Sequence, residues 1–183
     1  DLVMATDVLE HIPESQYAKA CAEIARISRR WILIAVPYRE LLDSATVDCA
    51  ACGKLYHVHW HQRSYDETFL GGHWSGLAPV SRWALAGERW IWTSQAVLDL
   101  MHATLGRSYD FPQAVCPDCG TIRGERAPTP SSNGEFESLQ YTLVEAGAAP
   151  RPPFSEILAL FDKQASGPAT FIKPVERPSL PSR

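Results

Sequence analysis

The first forty residues alternate short apolar runs with one amphipathic segment. The run from Leu2 to Ala5 predicts a strand buried on both faces, and Trp31 to Val36 predicts a second apolar strand. Between them, apolar residues recur at helical spacing across 14–29, which predicts an amphipathic helix with one buried face. The residues of that face are Tyr17, Ala20, Cys21, Ile24 and Ile27. Strand, helix and strand in this order indicate a parallel βαβ unit, so we expect an α/β fold.

Beyond residue 63 the pattern predicts shorter elements. A capping box at Ser64–Glu67 predicts a helix that begins at Tyr65 and stops at Gly71 and Gly72. Scattered apolar residues across 77–92 predict one or two strands.

The last third of the chain predicts two helices, a strand and two irregular segments. Thr93 or Ser94 caps a helix that Gly106 ends, and 127–134 is a turn-rich connector. Three alternating apolar residues then predict a strand, and a final apolar cluster predicts a short helix. The strand residues are Leu139, Tyr141 and Leu143, and the helix residues are Phe154, Ile157, Leu158 and Phe161. The Pro-rich segment 166–183 predicts a disordered or surface-draped tail.

Composition narrows the class of protein. The chain has 183 residues, 45% of them hydrophobic, which is enough for one domain with a real core. A formal net charge of -4 argues against non-specific binding of nucleic acid as the protein's main function. The longest apolar run, Trp31 to Pro37, is too short to span a membrane. We therefore expect a soluble, cytoplasmic protein.

Four of the five cysteines form two C-x-x-C pairs, each followed by glycine. The pairs are Cys49 with Cys52 and Cys116 with Cys119. Each unit is typical of a zinc knuckle, in which a tight turn presents two thiolates and glycine supplies a positive φ. Four thiolates would complete a closed, tetrahedral, structural Zn²⁺ site that fastens two distant segments together.

Three alternatives to that site remain open. One cysteine pair could join the histidines at 57, 59 and 61, or the pairs could be redox dithiols or unliganded thiols. The fifth cysteine, Cys21, lies on the predicted helix face and is interpreted as a small core residue.

A second group of polar residues follows the first strand. Asp7, Glu10 and His11 are spaced at i, i+3 and i+4, which places them on one face of a helical turn. The group could bind a divalent metal or act in acid/base chemistry, with His57, His59 or His61 completing the set. The alternative is that Asp7 and Glu10 cap the helix and His11 forms a local hydrogen bond.

The run DLVMATDVLEHIP, the helix carrying EIARISRR and the strand WILIAVPYR resemble class I S-adenosylmethionine (SAM)-dependent methyltransferases. They are similar to the fourth strand, following helix and fifth strand of that family's D-V-L-E-H group. The resemblance implies a doubly wound, Rossmann-like sheet that carries a zinc-binding insertion. The family's Gly-rich loop does not occur in the 183 residues, so we expect the N-terminal half of the sheet to lie upstream of Asp1.

The resemblance also implies roles for individual residues. Ala5, Thr6, Asp7 and Val8 would contact the cofactor SAM. Pro37 and Tyr38 would line the cleft, and His11 or His61 would serve in acid/base chemistry or contact the acceptor. The methyl acceptor is not identified by any motif. The alternative is a non-catalytic, zinc-dependent interaction module on a degenerate methyltransferase fold.

The resemblance and the cysteine pattern together divide the chain into four parts. Residues 1–48 would be the C-terminal half of the methyltransferase core, and 49–125 a zinc-braced insertion with continuing sheet and helices. Residues 126–165 would add a strand and a helix, and 166–183 the tail.

Overall fold

A computed structural model describes residues 1–74, 76–124 and 133–172. The strands are β1 (Leu2–Thr6), β2 (Trp31–Pro37), β3 (Thr46–Asp48), β4 (Leu55–His57), β5 (Val80–Arg89), β6 (Phe154–Asp162) and β7 (Thr170–Ile172). The α-helices are α1 (Glu14–Ile27), α2 (Glu67–Trp74), α3 (Gln95–Leu105) and α4 (Asn133–Glu145), and short 3₁₀ helices span Leu9–His11 and Leu42–Ala45.

The fold is built on a mixed five-stranded sheet in the order β1-β2-β6-β5-β7. β1 and β2 are parallel, which confirms the predicted βαβ unit and the α/β class. β6 lies antiparallel between β2 and β5, and β7 is parallel to β5. β3 and β4 form a separate antiparallel pair. The main core lies on this sheet, and a second, smaller core surrounds the cysteines.

The helix α1 buries one face against the sheet. Tyr17, Cys21 and Ala25 are buried, which confirms Cys21 as a core residue. Burial of this thiol also raises its pKa. Ile27 was predicted on the same face but is 56% exposed, because it is the last residue of the helix, where the chain turns towards β2.

The strand β1 is an edge strand of the sheet, and one of its two faces is exposed. The prediction that both faces are buried is therefore wrong. Leu2 is 50% and Met4 is 58% exposed. No strand pairs with the outer edge of β1 among the residues described here.

The helix α2 differs from its prediction at both ends. It begins at Glu67 rather than Tyr65, because the carboxylate of Asp66 accepts the N–H of Phe69 at 2.8 Å. It continues through Gly71 and Gly72 to Trp74, whose buried side chain packs against Phe161. Packing of this face therefore outweighs the helix-breaking tendency of two glycines.

The last strand and helix were predicted in the wrong order. Residues 139–143 belong to α4, in which Gln140 and Val144, four residues apart, are buried. Residues 154–161 belong to β6, where Ile157, Ala159 and Phe161 alternate with half-buried residues. Strand pairing on both sides of β6 selects the extended conformation, since it gives the backbone of a buried segment hydrogen-bonding partners on both edges.

The other predictions from this part of the chain have mixed outcomes. Ser94 is the N-cap residue of α3, but its side chain makes no capping hydrogen bond. β5 is one strand, and α3 ends before Gly106, whose φ is 74°. Of the connector 127–134 only the last two residues are described, and they open α4. The prediction of an irregular tail over 166–183 is wrong at Thr170–Ile172, which form β7 and pair with β5; residues 173–183 lie outside the described part. No described helix is long and apolar enough to cross a membrane.

Candidate functional site

The two cysteine pairs come together although 64 residues separate Cys52 from Cys116. The Sγ atoms of Cys49 and Cys119 are 3.6 Å apart, and those of Cys52 and Cys116 are 3.7 Å apart. All four sulfur atoms lie within 4.8 Å of one another, and none is in a disulfide. A tetrahedral ion with metal–sulfur bonds of about 2.3 Å requires sulfur atoms about 3.8 Å apart. The four cysteines could therefore hold a metal ion, and the donor set is compatible with zinc.

The two knuckles share one backbone design. Cys49 donates its N–H to Lys54 and accepts the N–H of Gly53, each at 2.9 Å. Cys116 makes the same pair of bonds with Thr121 and Gly120, also at 2.9 Å. Both glycines have a φ near 70°, 71° in the first knuckle and 72° in the second, as the sequence pattern requires.

The cysteines rest on the small second core. Two of them, Cys49 and Cys116, are buried and pack with a few apolar side chains. Those side chains are Ala45, Val47, Tyr56, Val58, Phe111 and Ala114. The thiol of Cys119 is exposed, and the Thr121 hydroxyl, 3.3 Å from its sulfur, lowers its pKa. A core this small cannot stabilise the segment alone, which is the situation in which a metal contributes folding energy.

The histidines do not join the cysteines but form a separate cluster beside them. Of the three histidines only His57 belongs to a strand, and His59 and His61 follow the end of β4. The chain turns after β4, with Trp60 at a φ of 61° and its indole N–H bonded to the carbonyl of Val115 at 2.8 Å. That turn still gathers the rings: His57 and His61 stack with centroids 4.6 Å apart.

Glu40 joins the histidine cluster and was missed by sequence reasoning. Oε2 of Glu40 lies 2.6 Å from Nδ1 of His61, and Oε1 lies 3.2 Å from Nε2 of His57. The carboxylate is almost fully buried. Burial alone would raise its pKa, but the hydrogen bonds and charges of His57 and His61 outweigh burial and lower the pKa to about 2. Burial would lower the pKa of His61, yet the bond to Glu40 raises it.

Glu10 is fully buried, and neither of its carboxylate oxygens has a hydrogen-bond partner. It lies in the 3₁₀ helix Leu9–His11, which has no side-chain cap, so the predicted capping by Asp7 and Glu10 is not formed. One oxygen is 3.7 Å from Nε2 of His11, and burial raises the pKa of the carboxyl group. Ligand atoms of Glu10, His11 and His61 lie within 4.8 Å of one another and could hold a metal ion. Asp7 is not in this group.

The predicted cofactor residues lie where β1 ends. Ala5 and Thr6 complete β1, and Asp7 follows with a φ of 53° and donates its N–H to Ala35 at 3.0 Å. Val8 then precedes the 3₁₀ helix and is exposed.

The two residues predicted to line the cleft, and one acid that was not predicted, lie where β2 ends. Pro37 is the last residue of β2, and the hydroxyl of Tyr38 donates to Glu67 at 2.7 Å. Glu156 pairs with Pro37 across the sheet, and burial with repulsion from Asp7 and nearby glutamates raises its pKa to about 7.

A buried arginine attaches the segment after the histidines to the segment between β1 and α1. Arg63 donates to the carbonyls of Leu9 and Ile12, each at 2.6 Å, and its guanidinium lies 4.2 Å from the ring centre of Tyr17. Neither Arg63 nor Glu40 belongs to a motif in the sequence, so only the fold could identify them. Comparison of the chain with protein-family models, curated proteins and solved structures returns no match.

Proposed function

We propose that the protein is a SAM-dependent methyltransferase that transfers a methyl group to an acceptor still to be identified. The observation that carries the proposal is the sheet order β1-β2-β6-β5, in which a parallel pair is followed by an antiparallel strand. The resemblance implies that β1 and β2 are the fourth and fifth strands of a doubly wound sheet, and their parallel pairing supports this assignment. Open α/β sheets bind ligands at the carboxyl ends of their parallel strands, where the acidic and histidine cluster lies.

The charges at this edge fit the cofactor. SAM carries two positive charges, a sulfonium and an ammonium group. Four carboxylates at this edge are close enough to interact electrostatically with one another, namely those of Asp7, Glu10, Glu40 and Glu156. Residues 5–8 would contact SAM, which supplies the methyl group as an electrophile. The chain holds no G-x-G-x-G loop, so these residues fit only part of the cofactor.

Methyl transfer depends mainly on the alignment of donor and acceptor, and a base is needed only where the acceptor must lose a proton. His61 or His11 would accept that proton. The four cysteines would hold a structural Zn²⁺, because four sulfur ligands leave no open position for catalysis. Zinc would act indirectly, by fixing the turn that carries His57 and His61.

A titration with SAM tests this function. The protein is expressed from its complete reading frame, loaded with zinc and titrated with SAM by calorimetry. We expect saturable binding that Asp7→Asn weakens at least tenfold, because asparagine tolerates the same left-handed φ but lacks the charge. Glu23→Gln, on an exposed part of α1, is the matched control and should bind like the wild type. Absence of binding would reject the methyltransferase.

A divalent metal at Glu10, His11 and His61 is the alternative role for the cluster, and the unpartnered carboxylate of Glu10 favours it. Calorimetry with Mn²⁺ on zinc-loaded protein tests this role. Binding that Glu10→Gln removes supports a metal ligand, whereas no binding leaves the acid/base role.

The second candidate function is a zinc-dependent interaction module without catalysis. Exposed apolar side chains favour this function. They lie on the cysteine-bound segment, by which we mean the stretches of chain that carry the two cysteine pairs, and they are Leu55, Trp60 and Ile122, the last of which is 65% exposed. Zinc-loaded protein that fails to bind SAM would leave this as the better account.

A further inference from the structure

The turn after β4 fixes which nitrogen of His57 carries a proton. The backbone N–H groups of His59 and His61 both point to Nδ1 of His57, at 3.2 Å and 3.3 Å. A backbone N–H can only donate, so Nδ1 must be the unprotonated, accepting nitrogen. The proton of the neutral ring therefore sits on Nε2, which faces Oε1 of Glu40 at 3.2 Å without the alignment of a hydrogen bond.

The carboxylate of Glu40 passes this constraint to the next ring. Both of its oxygens face imidazole nitrogens, and it lies in a buried position where an ionised carboxylate must be paired. An ionised carboxylate only accepts, so Nδ1 of His61, at 2.6 Å from Oε2, must donate. The nitrogen of His61 that remains without a proton in the neutral ring is Nε2.

The geometry points to Glu40 and His57 as positioning residues that hold His61 in its Nδ1–H tautomer, with Nε2 free for the chemistry of the site. This inference deepens the proposed function and rests on it for the role of His61, but the tautomer itself is independent of SAM. The free nitrogen belongs to the ring that shares a cluster with Glu10 and His11. A base that accepts a proton through Nε2 needs this tautomer, and a carboxylate on the opposite nitrogen makes it more basic.

The arrangement accounts for otherwise unexplained features of the segment. Trp60 adopts a left-handed φ of 61° in the turn, and this turn brings two backbone N–H groups to a single imidazole nitrogen. The rings of His57 and His61 are nearly parallel, at 17°, so that both reach the same carboxylate from one side. The knuckle that precedes β4 and the Trp60 bond to Val115 hold the turn in place.

Substitution of Glu40 by glutamine should reverse the tautomer. The proton on Nε2 of His57 repels an amide NH₂, so the amide oxygen of Gln faces His57 and the amide NH₂ faces His61. Nδ1 of His61 must then accept, and its proton moves to Nε2. The variant thus keeps the shape of the site but blocks the nitrogen that the wild type leaves free.

Nuclear magnetic resonance reads the tautomers directly. Long-range ¹H–¹⁵N correlation spectra of ¹⁵N-labelled, zinc-loaded protein separate protonated from unprotonated ring nitrogens, and the chain has only six histidines. At a pH where the rings are neutral, we expect His57 as Nε2–H and His61 as Nδ1–H, assigned with single His→Gln variants. Glu40→Gln should exchange the ¹⁵N shifts of the two nitrogens of His61. Asp43→Asn is the matched control, because Asp43 lies 3.4 Å from the ring of a different histidine, His102, and should leave His61 unchanged.

The wild-type spectrum alone decides the inference if Glu40→Gln does not fold. His61 found as Nε2–H in the wild type overturns it, and so does a His61 tautomer that Glu40→Gln leaves unchanged. A protein with the expected tautomers that does not bind SAM would overturn the proposed function and leave the positioning role intact.

Discussion

Oε2 of Glu40 lies 2.6 Å from Nδ1 of His61, and the two residues reach each other from different parts of the fold. Glu40 follows β2 of the main sheet, whereas His61 follows β4 of the cysteine-bound segment. The contact therefore joins the carboxyl edge of the sheet to the segment that the cysteines organise. Anything that loosens the knuckles should also disturb the histidine cluster.

Metal content tests the cysteine site. Purified wild-type protein should contain about one zinc per chain, and Cys116→Ser should lose it and unfold at a lower temperature. Cys21→Ala is the control, because Cys21 is buried in the main core and should keep the metal. A zinc-free wild type, or a Cys116→Ser protein that retains zinc, would contradict a four-cysteine site.

The attachment of the histidine segment to the segment between β1 and α1 depends on Arg63. Arg63→Met should lower the free energy of unfolding by about 2 to 4 kcal/mol, because the carbonyls of Leu9 and Ile12 lose their donors. Arg26→Met removes only an exposed ion pair with Glu23 and should change the free energy of unfolding by less than about 1 kcal/mol. Urea denaturation of both variants provides the comparison, and equal effects would mean that Arg63 does not tie these segments together.

The position of β6 inside the sheet gives a further stability prediction. Ile157 is fully buried between β2 and β5, so Ile157→Ala should cost about 2 to 5 kcal/mol of unfolding free energy. Leu139→Ala, at an exposed position of α4, should cost less than about 1 kcal/mol. Denaturation curves in which Leu139→Ala is the more harmful change would instead support a strand at 139–143 and a helix at 154–161.

Those two elements also show what the sequence could and could not establish. The βαβ unit was predictable because its helix has apolar residues at helical spacing over about four turns, and a continuous apolar run lies on each side of it. The apolar residues of β6 fit both a helix and a strand, and three apolar residues of α4 alternate by coincidence, so local pattern could not separate them. Pairing with β2 and β5 decides the outcome, and that information lies far away in the chain.

The candidate site was predictable to a similar degree. The four cysteines carry a strict spacing and came together as expected. Glu40 has no motif around it, and its importance arises only from the fold, which places it against His57 and His61. The relevant signal is burial of a carboxylate, which a sequence does not display.

Glu156 predicts a specific pH dependence of stability. Its pKa rises from 4.5 to about 7 in the folded protein, so the folded state binds more protons than the unfolded state between these values. The free energy of unfolding should therefore fall as the pH rises from about 4.5 to 7. Glu156→Gln should flatten this decline, since it removes the group that titrates beside Asp7, Glu10 and Glu40.

Thermal denaturation of wild type and Glu156→Gln across this range measures the difference. Glu40 acts in the opposite direction and at lower pH, because its pKa is lowered to about 2 and its contribution is lost only as the pH falls below about 4.5. A variant with the same slope as the wild type between pH 4.5 and 7 would show that Glu156 titrates normally.

The most direct test of the methyltransferase proposal locates SAM on the protein. Backbone ¹H–¹⁵N spectra recorded during a SAM titration of the zinc-loaded, complete protein should show progressive shifts of the amides of residues 5–8 and around His11. The amides of α4, which packs against α3, should stay unchanged. No shifts at saturating SAM, or shifts confined to the cysteine-bound segment, would contradict a cofactor site at the carboxyl end of β1.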